Sequence, residues 1–149
     1  MTGTDDRAVG AGAADWQHWE ASDPARFTAL LGAITYRLDG AAMWVRMMPG
    51  PSHSNIRDAV HGGALLAFID VSLFAAARGF GVIVRGTGVT LNLDTQFIGE
   101  GRVGEMLEAR IELLRETGRL LFLRGLVTQG AGDHLVAAFS GTIRKPPPR

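Results

Sequence analysis

Nineteen consecutive residues, HGGALLAFIDVSLFAAARG (61–79), constrain this chain more than any other part of it. Apolar residues occupy nearly every position of a helical wheel drawn through the run. It therefore reads as a helix buried all round, not as an amphipathic surface helix. Gly79 and Gly81 supply its end. Its apolar part, Ala64 to Ala77, is interrupted by one charge, Asp70, and is too short to span a bilayer. The rest of the chain must surround this helix, and with 149 residues, 46% of them hydrophobic, it has the material to do so as about one domain.

The wrapping comes from extended segments. Ile34 to Leu38 and Ala42 to Met48 flank Asp39-Gly40, a two-residue hairpin signal. After the helix, Val89, Leu91, Leu93 and Phe97 alternate with Thr90, Asn92, Asp94 and Gln96, and Leu107, Ala109, Ile111 and Leu113 alternate with Glu108, Arg110 and Glu112. Leu120 to Gln129 and Leu135 to Arg144 read as two more strands, giving four in succession as an antiparallel meander. The segment DWQHWEASDPARFTALL, with Trp16 and Trp19 three apart, reads as helical pieces broken near Pro24. The order is helix, two strands, the long helix, then four strands. That is α+β, a sheet of about five to six strands wrapped on a central helix. Residues 1–13 read as a disordered N-terminus, 14–145 as a single domain and 146–149 as a Pro-rich tail.

Composition removes several kinds of chemistry. Fifteen basic and 15 acidic residues cancel, and no basic stripe stands out, so nucleic acid is not an expected partner. A net charge near zero favours an oligomer with its apolar surface covered. There is no cysteine, hence no disulfide, thiolate zinc site or thiol nucleophile. The only lysine, Lys145, lies in the tail, which argues against Schiff-base or P-loop chemistry. The start, MTGTDDRAVGAGAAD, has no apolar core of a secretory signal, so a soluble, cytoplasmic protein is expected. Gly99 to Gly104 matches GxGxxG as a string. The period-two pattern that follows makes those glycines turn residues instead of a dinucleotide cradle. His18, His53 and His134 are scattered and read as surface histidines, and Arg144-Lys145 as a solvated terminus.

What remains is a group around the helix: Asn55, His61, Gly62, Gly63 and Asp70. A carboxylate in an apolar helix costs several kcal/mol unless it is paired or neutralised. Asp70 is thus either a structural aspartate bonded to a neighbouring strand or a functional one. Gly62 and Gly63 open the helix, where backbone N–H groups lack intrahelical partners and the dipole is positive. Without Cβ atoms they admit a ligand close to the backbone, and a carbonyl oxygen gaining charge could dock there. The same glycines could also simply permit a tight turn into the helix, with His61 at the cap. Eight residues separate Gly62 from Asp70, about 12 Å along one helix. If both act on one substrate, Asp70 must come from a second subunit, and the site lies at an interface.

These residues resemble the hotdog-fold acyl-CoA thioesterases, in particular the phenylacetate-pathway (PaaI-like) branch, over roughly Phe27 to Arg144. The sharpest part is an asparagine six residues before HGG and an aspartate nine after that histidine. GVTLNLDTQFIGEGRVGEMLEARI also resembles the family's strand, turn and strand after the central helix. The resemblance implies a hotdog fold, dimers with continuous sheets and often tetramers. It implies hydrolysis of an acyl-CoA thioester to free acid and CoA, with no metal or redox cofactor. By position, Asp70 would be the general base or the nucleophile, and the Gly62 N–H would polarise the carbonyl, with Gly63 beside the substrate. Asn55 and His61 would position water or support the loop, and Thr90 would stand where relatives carry a serine. A non-catalytic acyl-CoA-binding or sensing module on the same fold is the alternative, and a hotdog dehydratase lacks its motifs here. Phe68, Phe74, Phe80 and Met47 could line a pocket or be plain core. Arg78, Arg85 and Arg102 could meet CoA phosphates or be solvated.

Overall fold

In the computed structural model the sheet begins from a hairpin. Strands β2 (Ile34–Asp39) and β3 (Ala42–Met47) pair in antiparallel register, with Asp39 opposite Ala42. The two turn residues are thus Gly40 and Ala41, one position later than the Asp-Gly signal suggests. Gly40 takes φ 61°, a left-handed value that suits glycine. The described residues are 16–19, 23–84 and 87–148, so the expected disordered segment 1–13 and Arg85 lie outside them.

The single α-helix among the described residues, α1, spans Gly62–Gly79, and β4 (Val89–Phe97), β5 (Leu107–Glu116), β6 (Leu120–Gln129) and β7 (His134–Arg144) follow. All pairings are antiparallel. A further strand, β1 (Gln17–Trp19), makes seven, in the order β1-β2-β3-β5-β6-β7-β4. One long helix against a seven-stranded antiparallel sheet is the hotdog architecture expected from sequence, with one strand more than the upper count.

Two sequence expectations fail in instructive ways. The Trp16–Trp19 segment is not helical. Its i,i+3 spacing suited a helix, yet Gln17–Trp19 pairs with Ile34–Tyr36, and the rings find cations instead of a helical face. Trp16 lies 3.9 Å from the Arg46 guanidinium and 4.9 Å from that of Arg37, and Trp19 lies 5.2 Å from Arg78. Helical character after Pro24 is confined to one 3-10 turn at Phe27–Leu31. The four-strand meander also fails, because β4 pairs with β7 and not with β5. The connection after β4 carries the chain back across the sheet to place β5 beside β3.

That crossover explains the GxGxxG string. A Cβ on Gly99 would overlap the Leu135 carbonyl oxygen, and one on Gly101 would sit 2.9 Å from Val60. Gly104 has φ 85°. The glycines thus serve turns and close approach, as the strand pattern after them implied. Gln129, fully buried, closes the crossover from β6. Its Oε1 accepts from the Arg102 N–H at 2.8 Å, and its Nε2 donates to the carbonyls of Arg102 (2.8 Å) and Glu105 (3.0 Å). Gln129→Leu keeps the volume but strands three backbone groups. We expect a loss of about 3 kcal/mol, seen as a melting temperature lower by roughly 10 °C. An unchanged melting curve would mean that water replaces the amide.

The core lies between α1 and the concave face of the sheet. Phe68, Ile69, Leu73, Ala76 and Ala77 meet Met43, Val45, Met47, Ala109, Ile111, Leu123 and Ile143, all essentially inaccessible to solvent. Phe68 and Met47 are therefore core. Buried Ser72 is satisfied by the Phe68 carbonyl at 2.6 Å. Small residues set the spacing, since a Cβ on Gly141 of β7 would overlap the Leu73 side chain. By length (18 residues) and hydropathy α1 could cross a membrane, but half of it is buried inside the molecule, so its apolar character serves the core. On the opposite face of the sheet, hydrogen bonds from Arg110 and Arg124 hold the Glu112 carboxyl below its ordinary range. The stabilisation this gives is present above the unfolded-chain value and fades as pH falls through the lowered one; solvent screening at this partly exposed position keeps it small.

The helix is not buried all round within one chain. Gly63, Leu66 and Arg78 are exposed, and Ala67, Asp70 and Phe74 are half-buried. At spacings of three and four these residues form one stripe. The sheet curls around the other faces and stops at the edge strand β4, leaving the stripe open.

Candidate functional site

The loop before α1 is built by its own side chains. Pro51–His53 forms a 3-10 turn. His53 is not a bare surface residue. Its Nδ1 accepts from the Gly50 N–H at 3.0 Å, and its Nε2 lies 2.6 Å from the Leu30 carbonyl oxygen. In that tautomer Nε2 is the donor. His134 likewise meets the Glu100 carbonyl at 2.6 Å, whereas His18 stands exposed on β1. Asn55 turns the chain between 55 and 59. Its Oδ1 accepts from the N–H groups of Arg57 (2.8 Å) and Ala59 (3.2 Å), and its backbone N–H donates to the Ala59 carbonyl at 2.8 Å. Asp58, at the tip, takes φ 59°. Asn55 thus holds the loop through its oxygen and keeps only its amide nitrogen for other work.

His61 is the N-cap of α1, satisfying one of the orphan donors of the first turn. Its Nδ1 accepts from the Gly63 N–H at 2.8 Å. Its own N–H donates to the His53 carbonyl at 2.7 Å. With Nδ1 accepting, the neutral ring carries its proton on Nε2, directed away from the helix. The Gly63 N–H is thereby occupied. Gly62, at the first helical position, has no intrahelical acceptor, and none of the described residues accepts its N–H. Its open side faces the Phe97 ring, which would lie 3.6 Å from a Cβ built there. Phe97, exposed at the end of β4, is a wall of this N-terminus that motif reading missed, although the alternation in β4 carried its signal.

Eight residues further along α1, Asp70 Oδ1 accepts a hydrogen bond from Thr90 Oγ1 at 2.7 Å. A strict alternation would place Thr90 with Asn92 and away from Leu93. A bulge between Thr90 and Asn92 breaks that rule, so Thr90 and Leu93, three apart, both face the helix. Val89 and Leu91 are left exposed on the edge strand. Within one chain the residues therefore form two groups, Asn55–His61–Gly62–Gly63 at the helix start and Asp70–Thr90 about 12 Å along it. The second oxygen of Asp70 has no hydrogen-bond partner among the described residues.

Beyond Asp70 the open stripe runs into a cavity of about 490 Å³ lined by His18, Trp19, Tyr36, Phe74, Arg78, Ile83, Thr87 and Gly88. Phe74 lies one helical turn from Asp70, and Gly88 lies two strand residues from Thr90. Of the four apolar pocket candidates, Phe74 is the one that lines it, and Phe80 packs against the core. Among the arginines, Arg78 lines the cavity. Arg102 instead pairs with Glu105 at 3.3 Å, both exposed. His18 and Trp19 come from a strand that the sequence pattern presented as helix, so nothing in the sequence had marked them.

Comparison with known proteins places these features in a family. Residues 58–135, more than half of the chain, match the thioesterase superfamily model, a span that includes His61, Gly62, Gly63, Asp70 and Thr90. No curated protein matches the sequence. Among solved structures, a mutant phenylacetic acid degradation protein PaaI from Thermus thermophilus is similar at 29% identity, covering 83% of this chain and 100% of that one (TM-score 0.65). PaaI from the Escherichia coli phenylacetic acid degradation operon shares the fold at 20% identity, 79% and 86% coverage and a TM-score of 0.67. So does a hypothetical thioesterase of Streptococcus pneumoniae TIGR4, solved with coenzyme A, at 17% identity, 81% and 91% coverage and 0.69. With its family match, its central helix and the aspartate set on it, the chain belongs to the thioesterase superfamily, as a PaaI-like hotdog protein.

Proposed function

We propose that the chain is an acyl-CoA thioesterase that hydrolyses an aryl or short-to-medium acyl-CoA to the free acid and CoA, at a site shared between two copies of itself. The observation that carries this reading is Asp70 on the open stripe, one oxygen held by Thr90 at 2.7 Å and the other without a partner among the described residues. The free oxygen can take a proton from water as that water attacks the thioester carbon. The carbonyl oxygen gains charge during attack and finds its donor in the Gly62 N–H at the positive end of a helix. Collapse of the tetrahedral species breaks the C–S bond, and the departing thiolate recovers a proton as the acid is released.

Both groups cannot serve one carbonyl from the same helix across about 12 Å. A two-fold pairing of α1 helices would bring Asp70 of one copy beside Gly62 of the other, twice per dimer. The stripe suits such covering because it is apolar apart from Asp70 and Arg78, and β4 leaves an unpaired strand edge next to it. Coenzyme A in the Streptococcus pneumoniae structure supports CoA as the carrier, and the PaaI relatives support an aryl acyl group.

Turnover of a panel of aryl, short-chain and long-chain acyl-CoAs, followed with a thiol reagent, tests the reading. Release of CoA is expected, and tight binding without turnover would point instead to a sensing module. A single turnover in ¹⁸O-water separates the two roles open to Asp70. Label found in the Asp70 carboxylate marks a nucleophile whose anhydride is opened at the aspartyl carbon; label found only in the product acid, with no anhydride trapped by hydroxylamine, marks a general base.

A further inference from the structure

The cavity beyond Asp70 has a wall that is unlike the rest of the fold. Its floor is α1 (Phe74, Arg78) and β2 (Tyr36), and one side is Ile83, Thr87 and Gly88. The remaining side is the three-residue strand β1, which places His18 and Trp19 there. This strand is fastened by three register pairs to the sheet edge. Outside the cavity it is anchored by Trp16 between the Arg46 and Arg37 guanidiniums. Inside, Trp19 lies 5.2 Å from the Arg78 guanidinium, and among the described residues no carboxylate competes for that cation.

Resting on the thioesterase reading, we propose that Trp19 is a specificity-determining residue. It closes the far end of the acyl pocket and selects compact aryl acyl groups over long straight chains. The argument is one of position and chemistry. Phe74 is about 6 Å along α1 from Asp70, within reach of a phenylacetyl ring whose carbonyl sits at Asp70, and Arg78 is about 12 Å away, beyond that ring. Trp19, Tyr36 and Phe74 give three ring faces, against which an aryl group packs edge-to-face or offset. Trp19 lines the cavity of about 490 Å³, so a chain too large for that volume must displace the indole and give up its contact with Arg78. The pocket is thus fitted by a wall that the sheet could lose without losing its core, since Trp19 packs on the core only from its margin.

The test compares kcat/KM for phenylacetyl-CoA and dodecanoyl-CoA in the wild type, Trp19→Ala and Trp19→Phe. The aryl-to-long-chain ratio should fall at least about tenfold in Trp19→Ala, chiefly through KM, and recover in Trp19→Phe. A uniform loss of activity with the ratio unchanged would overturn the proposal, because a merely structural strand would affect both substrates alike. If the wild type hydrolyses short acyl-CoAs but neither of these two, the proposal is overturned; if it hydrolyses no acyl-CoA, the thioesterase reading fails and intact phenylacetyl-CoA becomes a binding probe. Weaker binding by about tenfold in Trp19→Ala than in Trp19→Phe would then uphold the pocket, and equal binding would reject it.

Discussion

Asp70→Asn is expected to lower kcat by about 10³-fold while leaving the melting temperature unchanged. The reasoning is local. Asparagine keeps an oxygen to accept the Thr90 hydroxyl, now 2.7 Å from Oδ1, and it removes a charge from a half-buried position, so the fold has no cause to weaken. What disappears is the basic oxygen. Thr90→Val should act in the same direction but less, by about tenfold, because it frees the carboxylate without neutralising it, and Thr90→Ser should restore most of the rate. Steady-state rates and thermal melts on the same preparations decide the matter. Full turnover by Asp70→Asn would remove the aspartate from the mechanism.

Gly62→Pro should be nearly as damaging to turnover, by about 10²- to 10³-fold, and nearly silent in stability. Proline is welcome at the first position of a helix, where its missing N–H costs no intrahelical bond. His61 has φ -62° and ψ 136°. That is already the extended backbone a following proline requires. The nearest side chain to a new Cβ, Phe97 at 3.6 Å, is at ordinary contact distance. The substitution is therefore a deletion of one donor. Mixing the two inactive proteins gives the decisive readout. In a dimer formed from one Gly62→Pro and one Asp70→Asn subunit, one site of the two keeps both functional groups. Random reassortment should restore about a quarter of the wild-type rate. No recovery after verified subunit exchange would mean that each chain carries its own complete site.

Much of this site could be read from the sequence because its parts sit on one continuous element. An aspartate in an otherwise apolar helix and glycines at that helix's start announce themselves through composition and spacing. The same spacing yields the separation of about 12 Å on which the proposal of a site shared between two subunits rests. Features set by distant residues were not legible. Strand β1 is only three residues long, and its tryptophan and the neighbouring Trp16 are held by Arg37, Arg46 and Arg78, so local periodicity pointed to helix instead. The position of β4 beside β7 depends on how the crossover is clamped by Gln129, far along the chain, which no pattern within β4 encodes. Thr90 was legible only through family resemblance, since its own strand's alternation assigned it to the other face.

The bulge beside Leu91 lets the chain carry one extra residue at this edge without turning Thr90 away from the helix. Removing that one residue would return β4 to strict alternation with Thr90 and Leu93 two apart, both still facing α1, while the pairing with β7 continues on either side. Deletion of Leu91 should therefore spare turnover, whereas regular pairing of the full-length strand would turn position 90 away from Asp70. One unpaired residue is what lets an edge strand of this length keep its hydroxyl on the aspartate.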